Sequence, residues 1–219
     1  MKGKTTMITR RDFSLAISAV AFGAGQAAQA QGAAPAEGKD YVRLNTPVAV
    51  PGGGKIDVIE FFSYGCPHCY TFEPMLEQWV KRLPADVAFR RIPAAFNPTF
   101  EGYARLFCAL EAVGQAEALH KRVFAAIHVQ RQRLDKEADI ATFVSSNGGD
   151  GAKVVEALKS FGVATKMRQA KQAMDAYKID GVPALGIHGR WFTSGSLANG
   201  NDKALLVADY LIQRARKPS

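Results

Sequence analysis

Val58-Ile59-Glu60-Phe61-Phe62-Ser63-Tyr64-Gly65-Cys66-Pro67-His68-Cys69-Tyr70-Thr71-Phe72-Glu73 is the stretch that decides the fold. It opens inside a run, Ile56 to Phe62, rich in β-branched and aromatic side chains, which reads as a buried central strand. Two cysteines three positions apart follow at once. From Pro67 to Leu83 the apolar residues Tyr70, Phe72, Met75, Leu76, Trp79, Val80 and Leu83 recur at intervals of three and four, the spacing of one helix face. Pro67 suits the first helical turn, where its missing N–H costs nothing. The spacing predicts both sulfurs on one side of that turn, with Cys66 facing outward and Cys69 tucked inside.

Such an arrangement supplies what thiol exchange needs: a thiolate that attacks, a second thiol that resolves the mixed disulfide, and an attacking sulfur within reach of a partner. Cys66 is the candidate nucleophile and Cys69 the resolving cysteine. A helix N-terminus contributes about 0.3–1 kcal/mol to an adjacent anion, and one pKa unit is about 1.4 kcal/mol, so the dipole alone lowers Cys66 by less than a unit. Backbone N–H groups donating to the sulfur, at about 1.5–3 kcal/mol each, add one or two units. His68, protonated or aiming a ring N–H at the sulfur, adds more. A stabilised thiolate stabilises the reduced form and makes the disulfide a stronger oxidant. The Pro67-His68 pair therefore points to disulfide donation.

Outward from the motif, Val87 to Ile92 reads as a second strand closed by Pro93. From Thr99 to about Tyr177 the patterning is helical, with breaks at Gly114, Arg131–Asp135, Asn147-Gly148-Gly149 and Phe161-Gly162. Two short strands follow, Ala184–His188 and Trp191–Thr193, then a closing helix from Asp202 to Arg216. At the other end, Lys2, Lys4, Arg10 and Arg11 precede an apolar stretch from Phe13 to Gly25 and the small residues Ala28-Gln29-Ala30. This is the order of an export signal cut before Gln31, and Thr9-Arg10-Arg11-Asp12-Phe13 leaves both the general secretory and the twin-arginine routes open. Its removal lowers the net charge from +8 to +5. The remaining charge has no aromatic-interleaved basic strip, which argues against a nucleic-acid partner.

Three cysteines are too few for a disulfide framework, so Cys66 and Cys69 read as a redox couple. A zinc site would need a second ligand pair, whereas Cys108, His120, His128 and His188 are scattered, and no metal is expected. Cys108 lies on an apolar helical stripe and reads as a small core residue. Glu60, at the end of an otherwise apolar strand beneath the motif, reads as a buried carboxyl that relays the proton of Cys69 as the mixed disulfide resolves.

The quoted stretch, together with Gly181-Val182-Pro183-Ala184, closely resembles the DsbA family of bacterial periplasmic disulfide oxidants. The resemblance runs from about Tyr41 to the C-terminus. It implies an α/β protein of thioredoxin-like fold with an inserted helical domain: a signal at 1–30, a flexible leader at 31–40, the thioredoxin-like part at 41–98 and 171–219, and the helical insertion at 99–170. It further implies a cis Val182–Pro183 bond facing Cys66, with the Val182 backbone pairing to an extended substrate. The chain would work as a periplasmic monomer whose only redox group is the Cys66–Cys69 disulfide. Reduced, newly exported proteins would be its clients, and a quinone-linked inner-membrane oxidase of the DsbB type would reoxidise it. The alternative is an isomerase or reductase of the same fold, which would keep the pair reduced. Isomerases of that compartment usually carry a dimerisation domain before the thioredoxin part, and only about ten residues separate the expected cleavage site from the fold. A binding module using the groove at Pro183 without turnover would not need an intact Cys-Pro-His-Cys.

Overall fold

The computed structural model describes residue 3, residues 34–51 and residues 53–217. The export signal read over residues 1–30 lies, apart from Gly3, outside the described residues. In chain order the elements are β1 (Val42–Arg43), β2 (Ile56–Phe62), α1 (Pro67–Lys81), β3 (Val87–Pro93), α2 (Pro98–Ala112), α3 (Ala116–His128), α4 (Glu137–Ser146), α5 (Gly151–Leu158), α6 (Phe161–Tyr177), β4 (Ala184–Ile187), β5 (Trp191–Ser194), α7 (Gly195–Ala198) and α8 (Asn201–Ala215). The five strands form one sheet in the order β1-β5-β4-β2-β3. β2 and β3 run parallel, and the other pairings are antiparallel.

β2 is buried along its whole length, as a central strand must be when both faces are covered. Alternate side chains go to opposite faces. Ile56 and Val58 pack with Phe72, Leu76 and Trp79 of α1 and with Leu211 of α8. On the reverse face Ile59 and Phe61 pack with Ala170, Met174 and Tyr177 of α6. Phe62, at the end of the strand, belongs instead to the core of the helical block, where Phe107 and Tyr64 meet its ring edge-on at 5.0 and 5.2 Å between centroids. The strand that carries the motif is thus held by three separate apolar clusters.

β4 and β5 are joined by a tight turn in which His188 (φ 49°) and Gly189 (φ 65°) are both left-handed and the Arg190 N–H donates to the Ile187 carbonyl at 3.0 Å. This is the hairpin turn whose twist matches its strands, and glycine at its second position carries no steric cost. Ser160 caps α6, its hydroxyl accepting from the Val163 N–H at 3.1 Å, which places the helix start at Phe161 and makes Phe161-Gly162 the first turn and not a break. α6 then runs unbroken through residues 170 and 171. Its first half packs into the helical block through Val163 and Met167, its second half onto the sheet through Ala170, Met174 and Tyr177.

Three further features depart from the sequence reading. Residues 36–40, expected within a flexible leader, form a turn: the Asp40 carboxylate accepts from the Ala36 N–H at 2.7 Å, and the Asp40 carbonyl accepts from the Thr193 hydroxyl at 2.7 Å. β1 and α7 are too short to leave a periodic signal and have no counterpart in the pattern. Glu60 stands not at the end of β2 but two residues inside it, where it is completely buried.

Candidate active site

The motif sits where β2 passes into α1. Cys66 is the N-cap residue of α1 in extended conformation (φ −92°, ψ 114°), and its sulfur accepts the Cys69 N–H at 3.3 Å. That bond satisfies one of the free donors of the first turn, the role a serine or aspartate oxygen usually plays. Pro67 occupies the first turn, as expected from its fixed φ. His68 is exposed, and Cys69 is wholly buried.

The expected outward-facing Cys66 is in fact only 5% exposed. The reason is the loop before β4: the Val182–Pro183 bond is cis, and the Val182 carbonyl lies 3.4 Å from the Cys66 sulfur, an acceptor for the thiol. A groove of about 710 Å3 opens beside this contact, lined by His68, Val182, Pro183, Phe192, Leu197 and Asn201 among others. Gly65 lets α2 approach the loop from the other side. A Cβ on Gly65 would stand 2.9 Å from Phe100 Cε1 and 3.0 Å from Tyr103 Cδ2.

The two thiols are driven in opposite directions. The hydrogen bond from the Cys69 thiol is the strongest influence lowering Cys66, to about 6, against the opposing effect of burial. The backbone N–H groups of Cys69 and His68 come next, and the charge of His68 contributes least of the named causes. Burial, followed by the hydrogen bond to and the charge of Cys66, raises Cys69 far above the ordinary thiol range. At neutral pH the pair is therefore one thiolate and one thiol, with the thiolate on the residue at the helix N-terminus. The weight that sequence reasoning put on the His68 charge belongs largely to the Cys69 thiol.

Beneath the pair lies a buried polar network that the sequence reading reached only at Glu60. The parallel register sets Glu60 opposite Arg91, and Arg91 Nε donates to Glu60 Oε2 at 2.8 Å. The same guanidinium donates through NH2 to Glu73 Oε1 of α1 at 2.6 Å. Glu73 Oε2 faces His120 Nε2 of α3 at 3.3 Å, and His120 Nδ1 is 2.9 Å from the Tyr64 hydroxyl. Among the described residues Glu60 Oε1 has no hydrogen-bond partner. Burial pushes the Glu60 carboxyl up to about 8, with Arg91 pulling it down and Glu73 and Cys66 pushing it further up. Glu73 could have been found in the sequence, since it follows Cys69 by four positions on the apolar face of α1. His120 likewise precedes Phe124 by four on the buried face of α3. The remaining histidines serve locally: His128 Nε2 is 2.7 Å from the Tyr64 carbonyl and its ring stacks on Tyr70, and His188 Nδ1 accepts from the Asp57 N–H at 3.4 Å.

Cys108 is buried 3.9 Å from Met167 Sδ, and burial raises its thiol to about 11. Among the described residues no group of three or more His, Cys, Asp or Glu side chains could hold a metal ion. No helix of the described residues is long and apolar enough to cross a membrane.

The family profile of the DSBA-like thioredoxin domain matches residues 57–211. The chain belongs to the DsbA-like thioredoxin family. It is 41% identical to the thiol:disulfide interchange protein DsbA of Pseudomonas aeruginosa over 180 residues, covering 82% of this chain and 85% of the relative. The DsbA of Bordetella parapertussis is 41% identical over 216 residues, 98% of this chain and 100% of that one. The crystal structure of Pseudomonas aeruginosa DsbA superposes with a TM-score of 0.80 at 39% identity, covering 83% of this chain and 95% of that one. The fold is the thioredoxin fold of DsbA proteins, an α/β architecture. Like its DsbA relatives, the protein is a thiol:disulfide oxidoreductase that donates disulfides to other proteins.

Proposed function

We propose that Cys66 and Cys69 are the redox pair of this oxidoreductase, with Cys66 the exchanging sulfur. The observation that carries the assignment is the division of charge between the two: the sulfur at the α1 N-cap is held as thiolate near neutral pH, its partner as thiol. In the donation step a client thiolate attacks Cys66 Sγ. The Cys66–Cys69 bond breaks, and Cys69 leaves with the electron pair and takes up a proton. A second client thiolate then attacks the client sulfur of the mixed disulfide and releases Cys66 as thiolate. The client loses two electrons, and the pair gains them. Stabilising the departing Cys66 thiolate makes this direction favourable.

Glu60 is the proton carrier for Cys69 in this reading. A carboxyl raised to about 8 both gives and takes a proton near neutral pH. It protonates Cys69 when that sulfur leaves. On reoxidation it takes the proton back as Cys69 attacks Cys66 Sγ to expel the oxidant. The Val182 carbonyl and Pro183 form the wall against which an extended client segment lies, and Pro67 and the exposed His68 bound the same groove. No cofactor beyond the cysteine pair is required. The oxidant is a quinone-linked membrane partner of the DsbB type, the clients are reduced exported proteins, and the place is the periplasm. The export signal read over residues 1–30 supports that location, and family membership supports the partner.

The test is the equilibrium of the Cys66–Cys69 disulfide against glutathione, read by acid quenching and alkylation. A disulfide reduced at low glutathione ratios supports the donor assignment. A pair that stays oxidised under strongly reducing glutathione refutes it.

A further inference from the structure

We propose that His120, a residue of the helical block, is a positioning residue for the proton step: it fixes the negative charge on Glu73 and so leaves the exchangeable proton on Glu60, beneath Cys69. This rests on the reading of Glu60 as the proton carrier. Two buried carboxylates share one guanidinium, since Arg91 donates to both Glu60 and Glu73. Three buried charges of which two are negative leave a net negative site, and uptake of one proton neutralises it. Arg91 alone does not choose which carboxylate takes that proton.

The chemistry of His120 makes the choice. Among the described residues the Tyr64 hydroxyl has a single hydrogen-bond partner, His120 Nδ1 at 2.9 Å, and burial holds the phenol proton far more tightly than usual. Tyr64 therefore donates to Nδ1, which makes Nε2 the N–H of a neutral imidazole. Burial favours that neutral form, lowering the affinity of the ring for a second proton. The Nε2–H faces Glu73 Oε2 at 3.3 Å without reaching hydrogen-bond geometry, and among the described residues neither atom has a hydrogen-bond partner. A ring N–H turned toward Glu73 at 3.3 Å favours its carboxylate form by its dipole, whereas among the described residues no donor faces Glu60 Oε1. The charged and titratable groups around the trio are Cys66, Cys69 and Glu73 from α1, Arg91 from β3, His120 and Glu117 from α3, and Tyr64 from the loop before Cys66. Of these, the Tyr64–His120 pair distinguishes one carboxylate from the other by setting a ring N–H 3.3 Å from an oxygen that is otherwise unpartnered among the described residues. A groove of about 330 Å3, lined by Glu73, Arg91, Glu117, His120 and Lys121 among others, reaches the His120 end of the network.

The experiment is a carbon-13 NMR titration of reduced protein labelled at glutamate side-chain carbons, with Glu60 and Glu73 assigned by Glu60→Gln and Glu73→Gln. In the native protein the carboxyl titrating near pH 8 should vanish in Glu60→Gln. In His120→Phe the Glu60 midpoint should fall by at least about one pH unit, a tenfold change in proton affinity. The pH midpoint of Cys69 attack on a Cys66 mixed disulfide should move with it. His120→Gln, whose amide can accept from Tyr64 and donate to Glu73, should restore both. Should His120→Phe fail to fold, Tyr64→Phe frees the tautomer with His120 in place and should move Glu60 in the same direction by less. A Glu60 midpoint unmoved in the folded variants overturns the role of His120. If Glu60→Gln leaves the Cys69 step at full rate, the relay reading fails instead, and the titration still reports where the proton resides.

Discussion

Glu60 and Arg91 stand opposite one another in the parallel β2–β3 register and are joined at 2.8 Å, while the neighbouring Arg90 turns to the reverse face of the sheet and clasps Asp57 with two bonds of 2.8 and 2.9 Å. Strand geometry accounts for both. Adjacent arginines on β3 must point to opposite faces, and Asp57 and Glu60, three apart on β2, must do the same. The two ion pairs are not equivalent. Arg90 is partly exposed, whereas Arg91 is largely buried and divided between two acids.

The first consequence is kinetic. Iodoacetamide should label Cys66 alone in the native reduced protein, with a rate that rises through about pH 6, the value to which the Cys69 thiol and the first-turn N–H groups lower it. Cys69 and Cys108, both buried and both raised, should stay unlabelled until the chain unfolds. Mass spectrometry of quenched samples reads the sites directly. A rate that climbed only near the ordinary thiol range of about 8.5 would sink the activated-thiolate argument.

Because the charge of His68 is the weakest named influence on Cys66, His68→Ala should raise the pH midpoint of that labelling only modestly, by less than about one unit for an exposed charge. A shift of two units or more would restore His68 to the leading electrostatic role.

Redox state and stability are linked through the same thiolate. Cys66 is depressed in the folded chain, so its contribution is present above the unfolded thiol pKa and disappears as pH falls through about 6. It exists only in the reduced protein. The disulfide closes a very short loop and gains little entropically in return. Reduced protein should therefore resist urea better than oxidised protein at pH 7 and above, and the two curves should converge below pH 6. An oxidised form more stable at pH 7 would contradict the donor reading.

Glu60 acts with the opposite sign. Its folded value is raised, so its contribution is full below the unfolded carboxyl pKa and is lost as pH rises through about 8. In oxidised protein, where Cys66 carries no charge, Glu60→Gln should flatten the decline in stability between roughly pH 4.5 and 8. The same variant should slow Cys69 attack on a mixed disulfide by about 100-fold, the lower range for loss of a general acid–base group. Alkylation of Cys66 should be nearly unaffected. Equal slowing of both reactions would return Glu60 to a purely structural role.

Gly65→Ala tests how closely the helical block must approach the catalytic loop. A methyl group there meets Phe100 and Tyr103 at about van der Waals overlap, so one of those rings must move. Overpacking of this kind costs about 1–3 kcal/mol, to be read in urea titrations of both redox forms. A variant as stable as the parent would show that α2 is not seated on Gly65 in solution.

The parts of this molecule that could be read in advance are those with a period or a motif. β2 and α1 announce themselves by composition and by spacing, and Cys66 and Cys69 by their separation of three. The five helices of the block follow from repeated apolar faces, with only the start of α6 displaced, because a single Ser160 hydroxyl decides it. What could not be read were relationships between distant segments. Arg91 looks like one of two ordinary strand arginines until the β2–β3 register is known. His120 looks isolated because its partners, Glu73 and Tyr64, lie 47 and 56 positions away. The covering of Cys66 by Val182, across 116 positions, has no local signal at all.

One feature of α6 bears on how the molecule can move. The helix has 17 residues, about 25 Å of continuous backbone, with one end gripped by each core. Such a shaft transmits torque and does not fold like a joint. The block enters from β3 through the short passage 94–97 but leaves through a rigid axle. A swing that widens the mouth for a bulky client must therefore loosen one of the two seats of α6, so that the helix acts as a brace across the block and the sheet.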